Sequence, residues 1–228
     1  MLNNLILNQK PIEIKRALIS AYDKTGVVEL AKALNSFGVE ILSTGGTASV
    51  LRKENIPVVD VSEYTQFPEI MDGRIKTINP LIAGGVLGLR DQHNTEALEN
   101  KIKWIDLVVC NLYPFSEIIK KQDSNLAVAM ENIDIGGPTM IRSAAKNIGW
   151  VCVVVDHTDY SLFINELSSN RISFETRKKL STKAFGYTAQ YDTIIHNHLI
   201  GESFPSSLSF TYSKHSVLRY GENPHQVA

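Results

Sequence analysis

Apolar positions along this chain come as short continuous runs alternating with stripes at helical spacing. Arg16–Ala21 (RALISA) is an apolar run closed by Asp23-Lys24-Thr25-Gly26. Val27, Leu30, Ala31 and Leu34 then recur at helical spacing until Gly38 stops the pattern. Val39–Leu42 is a second run, followed by Ser43-Thr44-Gly45-Gly46-Thr47 and a short helix to Asn55, and Ile56–Val61 (IPVVDV) is a third strand candidate. Ile105–Cys110 (IDLVVC) and Trp150–Val155 (WVCVVV) are two more. Strands alternating with helices predict an α/β fold with a doubly wound, mainly parallel sheet, whose sites sit at the C-terminal ends of the strands. From Asp156 the pattern turns helical. Thr158–Leu167 reads as one helix, and Phe174–Leu199 as a long one with Leu180, Ala184, Tyr187, Tyr191 and Ile194 or Ile195 in register. Gly201–Ser216 is serine-rich and reads as a linker, followed by LRYGENPHQVA. The expected division is therefore 1–155 as the α/β domain, 156–200 as a helical part packed on it, and 201–228 as linker and tail.

Composition narrows the function classes. The chain has 228 residues, 43% of them hydrophobic, and 23 Lys+Arg against 24 Asp+Glu. That near-neutral balance argues against binding to nucleic acid or an anionic membrane by charge alone. Cys110 and Cys152 fall inside apolar runs and read as core residues, not as a disulfide framework. No apolar run approaches the ~20 residues of a membrane span. The N-terminal MLNNLILNQKPIEIK lacks a signal peptide's basic flank, so a soluble cytoplasmic protein is expected.

Five segments could carry chemistry. Ser43, Thr44, Gly45, Gly46 and Thr47 sit between a strand and a helix, where paired glycines can turn N–H groups toward an anion and hydroxyls can donate to phosphate. Lys24, at the end of the preceding strand, brings a cation to the same sheet edge. Asp72–Pro80 (DGRIKTINP) holds Arg74, Lys76 and Thr77 in a Gly/Pro-bounded loop that could clamp an anionic substrate. Asn111 and Tyr113 emerge directly after the strand IDLVVC. Asp134, flanked by Ile133 and Ile135, precedes Gly136-Gly137 and a helix that ends at Lys146. An Asp near a desolvated Lys could form a proton-transfer pair tuned toward neutral pH, although a cap at Asp134 and a favourable C-terminal charge at Lys146 account for the same residues. His196 and His198 face different sides of a helix, and no metal or redox cofactor is called for.

Each motif alone is also what an ordinary turn or capped helix looks like; their order is more specific. D-K-T-G, S-T-G-G-T-A, G-R-I-K-T-x-x-P, C-N-L-Y-P-F, I-D-I-G-G-P and A-A-K-N together resemble the bifunctional purine-biosynthesis enzyme family, which catalyses the last two steps to inosine monophosphate (IMP). Residues ~16 to 200 resemble its IMP cyclohydrolase domain, whose fold is similar to methylglyoxal synthase. LRYGENPHQ resembles the start of its formyltransferase domain, with Arg219 and Tyr220 at that domain's first substrate contacts. The resemblance implies closure of 5-formamidoimidazole-4-carboxamide ribotide (FAICAR) to IMP and water, without a cofactor and in a homodimer. It implies Lys146 as proton donor and acceptor, Lys76 and Tyr113 for oxyanion stabilisation and proton relay, and Asp134 as the carboxylate on the carboxamide. By the same matching, Lys24 and Ser43–Thr47 bind phosphate, with Tyr22 and Asp23 at contact positions. Arg74–Thr77 (Ile75 included), Cys110, Asn111, Ile135, Gly136 and Gly137 line the nucleotide.

Four positions depart from the family pattern. Asn79 and Ala83 stand where histidines are common, Tyr22 where a serine is, and Tyr187 where a histidine is. Other readings of the same motifs are a nucleotide-sensing regulatory module, a phosphate lyase of the methylglyoxal synthase kind, and a catalytically impaired fragment whose surviving role is dimerisation, which ligand binding without turnover would separate from the enzyme.

Overall fold

The computed structural model describes residues 7–120, 125–169 and 171–218. The strands are β1 (Arg16–Ala21), β2 (Glu40–Ser43), β3 (Val59–Asp60), β4 (Leu107–Asn111) and β5 (Cys152–Val154). Ten α-helices lie among the described residues. The first five are α1 (Val27–Ser36), α2 (Gly45–Lys53), α3 (Val61–Thr65), α4 (Pro80–Leu87) and α5 (Asn94–Glu99). The others are α6 (Phe115–Ile118), α7 (Leu126–Glu131), α8 (Gly136–Lys146), α9 (Tyr160–Leu167) and α10 (Phe174–Leu199). Two 3-10 turns, Met71–Gly73 and His157–Asp159, complete the order.

The sheet runs β3-β2-β1-β4-β5, and every pair is parallel. Alternation along each strand assigns the two faces. Ala17, Ile19, Val109 and Val154 point to one layer with Leu30 and Leu34 of α1 and Phe163 of α9. Leu18, Val108, Cys110 and Val153 point to the other with Ile82 of α4, Ile141 of α8 and Ala184 of α10. Burying one such aliphatic or aromatic side chain contributes about 1.5–3 kcal/mol, so both layers are needed to hold a sheet buried on two faces. This is the doubly wound α/β sheet the sequence predicts, and the helical part does pack on it through α10. Arg177 of α10 is fully buried and donates to the carbonyls of Ile148 (2.7 Å), Ile172 (2.7 Å) and Lys10 (3.0 Å), fastening the helix to the N-terminal segment.

Strand and helix ends follow local chemistry. Asn79 accepts from the Leu81 N–H with Pro80 at the first helical position, so Asn79 serves as the α4 cap and Ala83 lies within that helix. Ser173 accepts from the Thr176 N–H and starts the 26-residue α10. The third strand is shorter than its apolar run: only Val59 and Asp60 pair, with Leu42 and Ser43. Pro57 has no N–H to give to a ladder, which leaves the run's first residues outside it. Described residues beyond α10 adopt no helix or strand, with Phe204, Phe210 and Tyr212 exposed. Arg219, Tyr220 and the rest of the LRYGENPHQ motif after Leu218 lie outside the described residues.

The order of connections reverses between β1 and β4. The chain winds from β1 to β3 on one side and from β4 to β5 on the other. In open parallel sheets the crevice beyond the C-terminal ends at such a switch point is where ligands bind. Ala21 and Asn111 are register partners there.

Candidate active site

A cleft of about 880 Å³ opens at this switch point. Its walls come from the ends of β1, β2 and β4, the loop before α4, and the turn between α7 and α8.

The anion-facing wall is the start of α2. Gly45 and Gly46 form its first turn, where the sequence suggested a loop, and Gly45 has φ +47°. Two lysines converge on this turn. A Cβ at Gly45 would lie 3.2 Å from the Lys76 ammonium, and one at Gly46 would lie 3.7 Å from that of Lys24. Unpaired N–H groups at a helix start and two cations make a site for a phosphate-sized anion. The hydroxyls are divided. Ser43 is fully buried and donates to the Ile19 carbonyl at 2.7 Å, and Thr47 both donates to and accepts from the Ala21 main chain. Ser43 therefore serves the sheet and does not line this cleft. Thr44 and Thr47 do line it.

The loop 69–77 forms the opposite rim. Ile70 and Ile75 bridge across its turn, so Ile75 closes the loop while Arg74, Lys76 and Thr77 line the cleft. Lys76 pairs with Glu69 at 2.9 Å, and Arg74 pairs with Glu131 of α7. Sequence reasoning missed both carboxylates, because neither sits in a motif and only the fold brings them to the cations. Among the described residues Lys24 has no carboxylate partner; it donates to the Tyr22 carbonyl at 3.1 Å.

At the β4 end, Cys110, Asn111 and Tyr113 reach the cleft. The Asn111 side chain accepts from the N–H groups of Tyr22 (2.7 Å) and Asp23 (2.9 Å) and donates to the Asp23 carbonyl (2.8 Å). It holds the β1–α1 loop in place, and Tyr22 packs on Tyr113. Asp23 is turned away. Its carboxylate accepts from the Thr25 N–H and hydroxyl, which holds it below the usual range, and it borders a neighbouring cavity of about 1420 Å³ with His157 and Lys183. The Cys110 thiol is buried, and burial with Asp134 nearby pushes its pKa well up, so it stays neutral.

Asp134, Ile135, Gly136 and Gly137 close the cleft. Asp134 Oδ1 accepts from the Gly137 N–H at 2.8 Å, and a Cβ at Gly137 would approach both Asp134 Oδ2 and Leu112 within 2.5 Å, so only glycine lets the carboxyl sit there. Burial raises the Asp134 pKa, and the Gly137 N–H only partly reverses it. Such a carboxyl accepts a proton more readily than an exposed one. Asp134 is thus a cap and a cleft group at once.

Lys146 is the residue the fold does not bring. It is exposed at the far end of α8, on the side opposite Ile141 and Ala145, an 11-residue helix away from Gly136. At ~1.5 Å per residue that separation is about 15 Å, beyond the reach of a lysine side chain. The expected Lys146–Asp134 proton pair is therefore not assembled within one chain.

Comparison with known proteins fits this architecture. Residues 26–139 match the MGS-like domain family, and residues 144–228 match the family described as AICARFT/IMPCHase bienzyme. The bifunctional purine biosynthesis protein PurH of Bacillus cereus (strain B4264) is 53% identical over 220 residues, covering 94% of this chain and 43% of that protein. PurH of Bacillus thuringiensis subsp. konkukian (strain 97-27) is 52% identical over the same shares. The chain thus spans less than half the length of these curated relatives. The crystal structure of ForH superposes with a TM-score of 0.72 at 29% identity, covering 80% of this chain and 97% of that one. The match over 26–139 takes in half the residues, and the chain belongs to the MGS-like domain family as a relative of the bifunctional purine biosynthesis proteins.

Proposed function

We propose that this chain is an IMP cyclohydrolase that closes FAICAR to IMP and water in the cleft at the switch point. The observation that carries the reading is the pairing of an anion-binding helix start, flanked by Lys24, with a half-buried carboxyl of raised pKa in the same cleft. The first suits the phosphate of a ribotide, and the second suits removal of a proton from a weakly acidic amide.

The chemistry assigns the roles. The carboxamide nitrogen attacks the formyl carbon, and the new C–N bond places negative charge on the former formyl oxygen. Asp134 takes the carboxamide proton. The Lys76 ammonium stabilises the developing oxyanion, and Tyr113 relays the proton taken up by Asp134 to that oxygen, giving a carbinolamine. The former formamide nitrogen then loses its proton, a proton returns to the hydroxyl, and the C–O bond breaks to release water and leave the ring C=N bond. The reaction is intramolecular, so holding the two ends of the ribotide supplies several kcal/mol of the barrier reduction. Lys24, Thr44 and the Gly45–Gly46 N–H groups grip the phosphate; Arg74, Thr77, Asn111 and Ile135 line the nucleotide. Lys146 takes no part in this scheme. A homodimer and a cytoplasmic location belong to the same proposal.

The test is IMP formation from purified FAICAR, followed by absorbance. Turnover lost in Asp134→Asn and Lys76→Met supports the proposal. Saturable IMP binding without turnover would make the chain a nucleotide-binding module instead.

A further inference from the structure

Two hydroxyls of α10 end on the main chain of the cleft. Tyr187 and Tyr191 are one helical turn apart and so lie on one face. The Tyr187 oxygen accepts from the Leu112 N–H at 2.9 Å, and the Tyr191 oxygen accepts from the Asp134 N–H at 2.8 Å. Leu112 immediately precedes Tyr113 after the end of β4, and Asp134 stands just before α8, so both amides lie outside any ladder or helix. Packing needs only the rings. Tyr191 is 6% exposed and meets Phe115 edge-on at 6.4 Å, an arrangement phenylalanine would keep.

We infer that Tyr187 and Tyr191 are positioning residues for the cyclohydrolase reaction, fixing Tyr113 and Asp134 relative to each other through the main chain of Leu112 and Asp134. The inference rests on the function proposed above. Asp134 is held at two points, its N–H by Tyr191 and its carboxyl by the Gly137 N–H. Releasing the first leaves a half-buried amide without an acceptor, and the segment gains by moving toward water. The carboxyl then loses some of the burial that raises its pKa. Cys110 on β4 and the two tyrosines on α10 stand near Asp134, and Glu131, Lys24, Asp72, Arg74, Lys76 and Tyr113 line the same cleft. The Cys110 thiol and both phenols of α10 are pushed upward by burial, so they stay neutral in the acid range.

The experiment compares the intact chain with Tyr187→Phe and Tyr191→Phe. Both variants are expected to bind IMP within about threefold of the intact chain, while kcat falls about tenfold, in keeping with the sensitivity of turnover to small displacements. Tyr191→Phe alone is expected to shift the acid limb of the kcat profile to lower pH. The same shift should appear in the carboxyl titration of Asp134 followed by NMR, which needs no turnover. A lower Tm with unchanged kcat and an unmoved Asp134 titration would reduce both tyrosines to packing and overturn the inference. If the intact chain makes no IMP, the proposed function fails, and the Asp134 titration alone decides the positioning role.

Discussion

Tyr22 and Tyr113 lie ring against ring, 4.3 Å between centroids and tilted by 46°, across the gap between the ends of β1 and β4. Both rings are about half exposed, so each is the other's main support at the cleft mouth. Tyr22 stands where the related family commonly has serine, and it serves as a platform for Tyr113. Such a pair contributes about 0.5–1.5 kcal/mol beyond burial. Tyr22→Ser is expected to lower kcat severalfold through a looser Tyr113, with IMP affinity changed less; steady-state kinetics and calorimetry check this. A kcat equal to that of the intact chain would remove the platform role.

Asp134→Asn separates function from stability. The amide keeps the acceptor for the Gly137 N–H and removes a half-buried charge. The folded-state pKa of Asp134 is raised, so its contribution to stability is fully present below the unfolded value near ~4 and is lost as pH rises through the folded value. The variant should therefore match the intact chain in acid and gain in Tm relative to it toward pH ~7, while turnover drops at least about a hundredfold. Thermal melts at both pH values and FAICAR kinetics are the measurements.

Lys24→Met should weaken IMP about tenfold or more, because it removes a cation beside Gly46 that forms no salt bridge among the described residues. Gly45→Ala should weaken it as well, since φ +47° strains alanine and its methyl would press on the Lys76 ammonium. Calorimetric titration with IMP and with inorganic phosphate measures both; equal losses for the two ligands locate the effect at the phosphate.

Lys146→Ala should leave turnover within about threefold, because the side chain is exposed a full helix length from Asp134. A collapse of turnover would contradict the one-chain site and require Lys146 to arrive from a second copy.

The β5 end gives a pH prediction of opposite sign. Burial pushes the Asp156 carboxyl up, but Lys183 at 2.7 Å and the Thr158 N–H outweigh it and hold the pKa at about 2. A lowered pKa means stability present above the unfolded value of 3.8 and lost as pH falls toward about 2. Lys183→Met should move acid unfolding, followed by circular dichroism, to higher pH.

How much of this was legible in the chain differs by element. RALISA and the stripe Val27, Leu30, Ala31, Leu34 give β1 and α1 because both layers bury a continuous run, and Phe174–Leu199 coincides with α10. The short helices α5, α6 and α7 escaped notice, since six residues or fewer carry too little period. In the site, the glycine turns and the loop cations were readable from their local chemistry. The hydrogen bonds of Ser43 to the Ile19 carbonyl and of Asp23 to Thr25 are not legible in sequence, because a hydroxyl or carboxylate beside a glycine motif looks the same whether it faces ligand or protein. Glu69, Glu131, Tyr187 and Tyr191 act across long sequence separations, and tyrosines at helical spacing read only as core.

The most direct test of the central claim is the conversion of FAICAR by the purified chain beside Asp134→Asn and Lys76→Met, with IMP affinity measured in all three. Turnover in the intact chain that falls at least about a hundredfold in Asp134→Asn, with IMP still bound, is the result expected. Turnover that persists in Asp134→Asn would contradict the assignment of its proton chemistry, and no turnover with no IMP binding would contradict the cleft as the site.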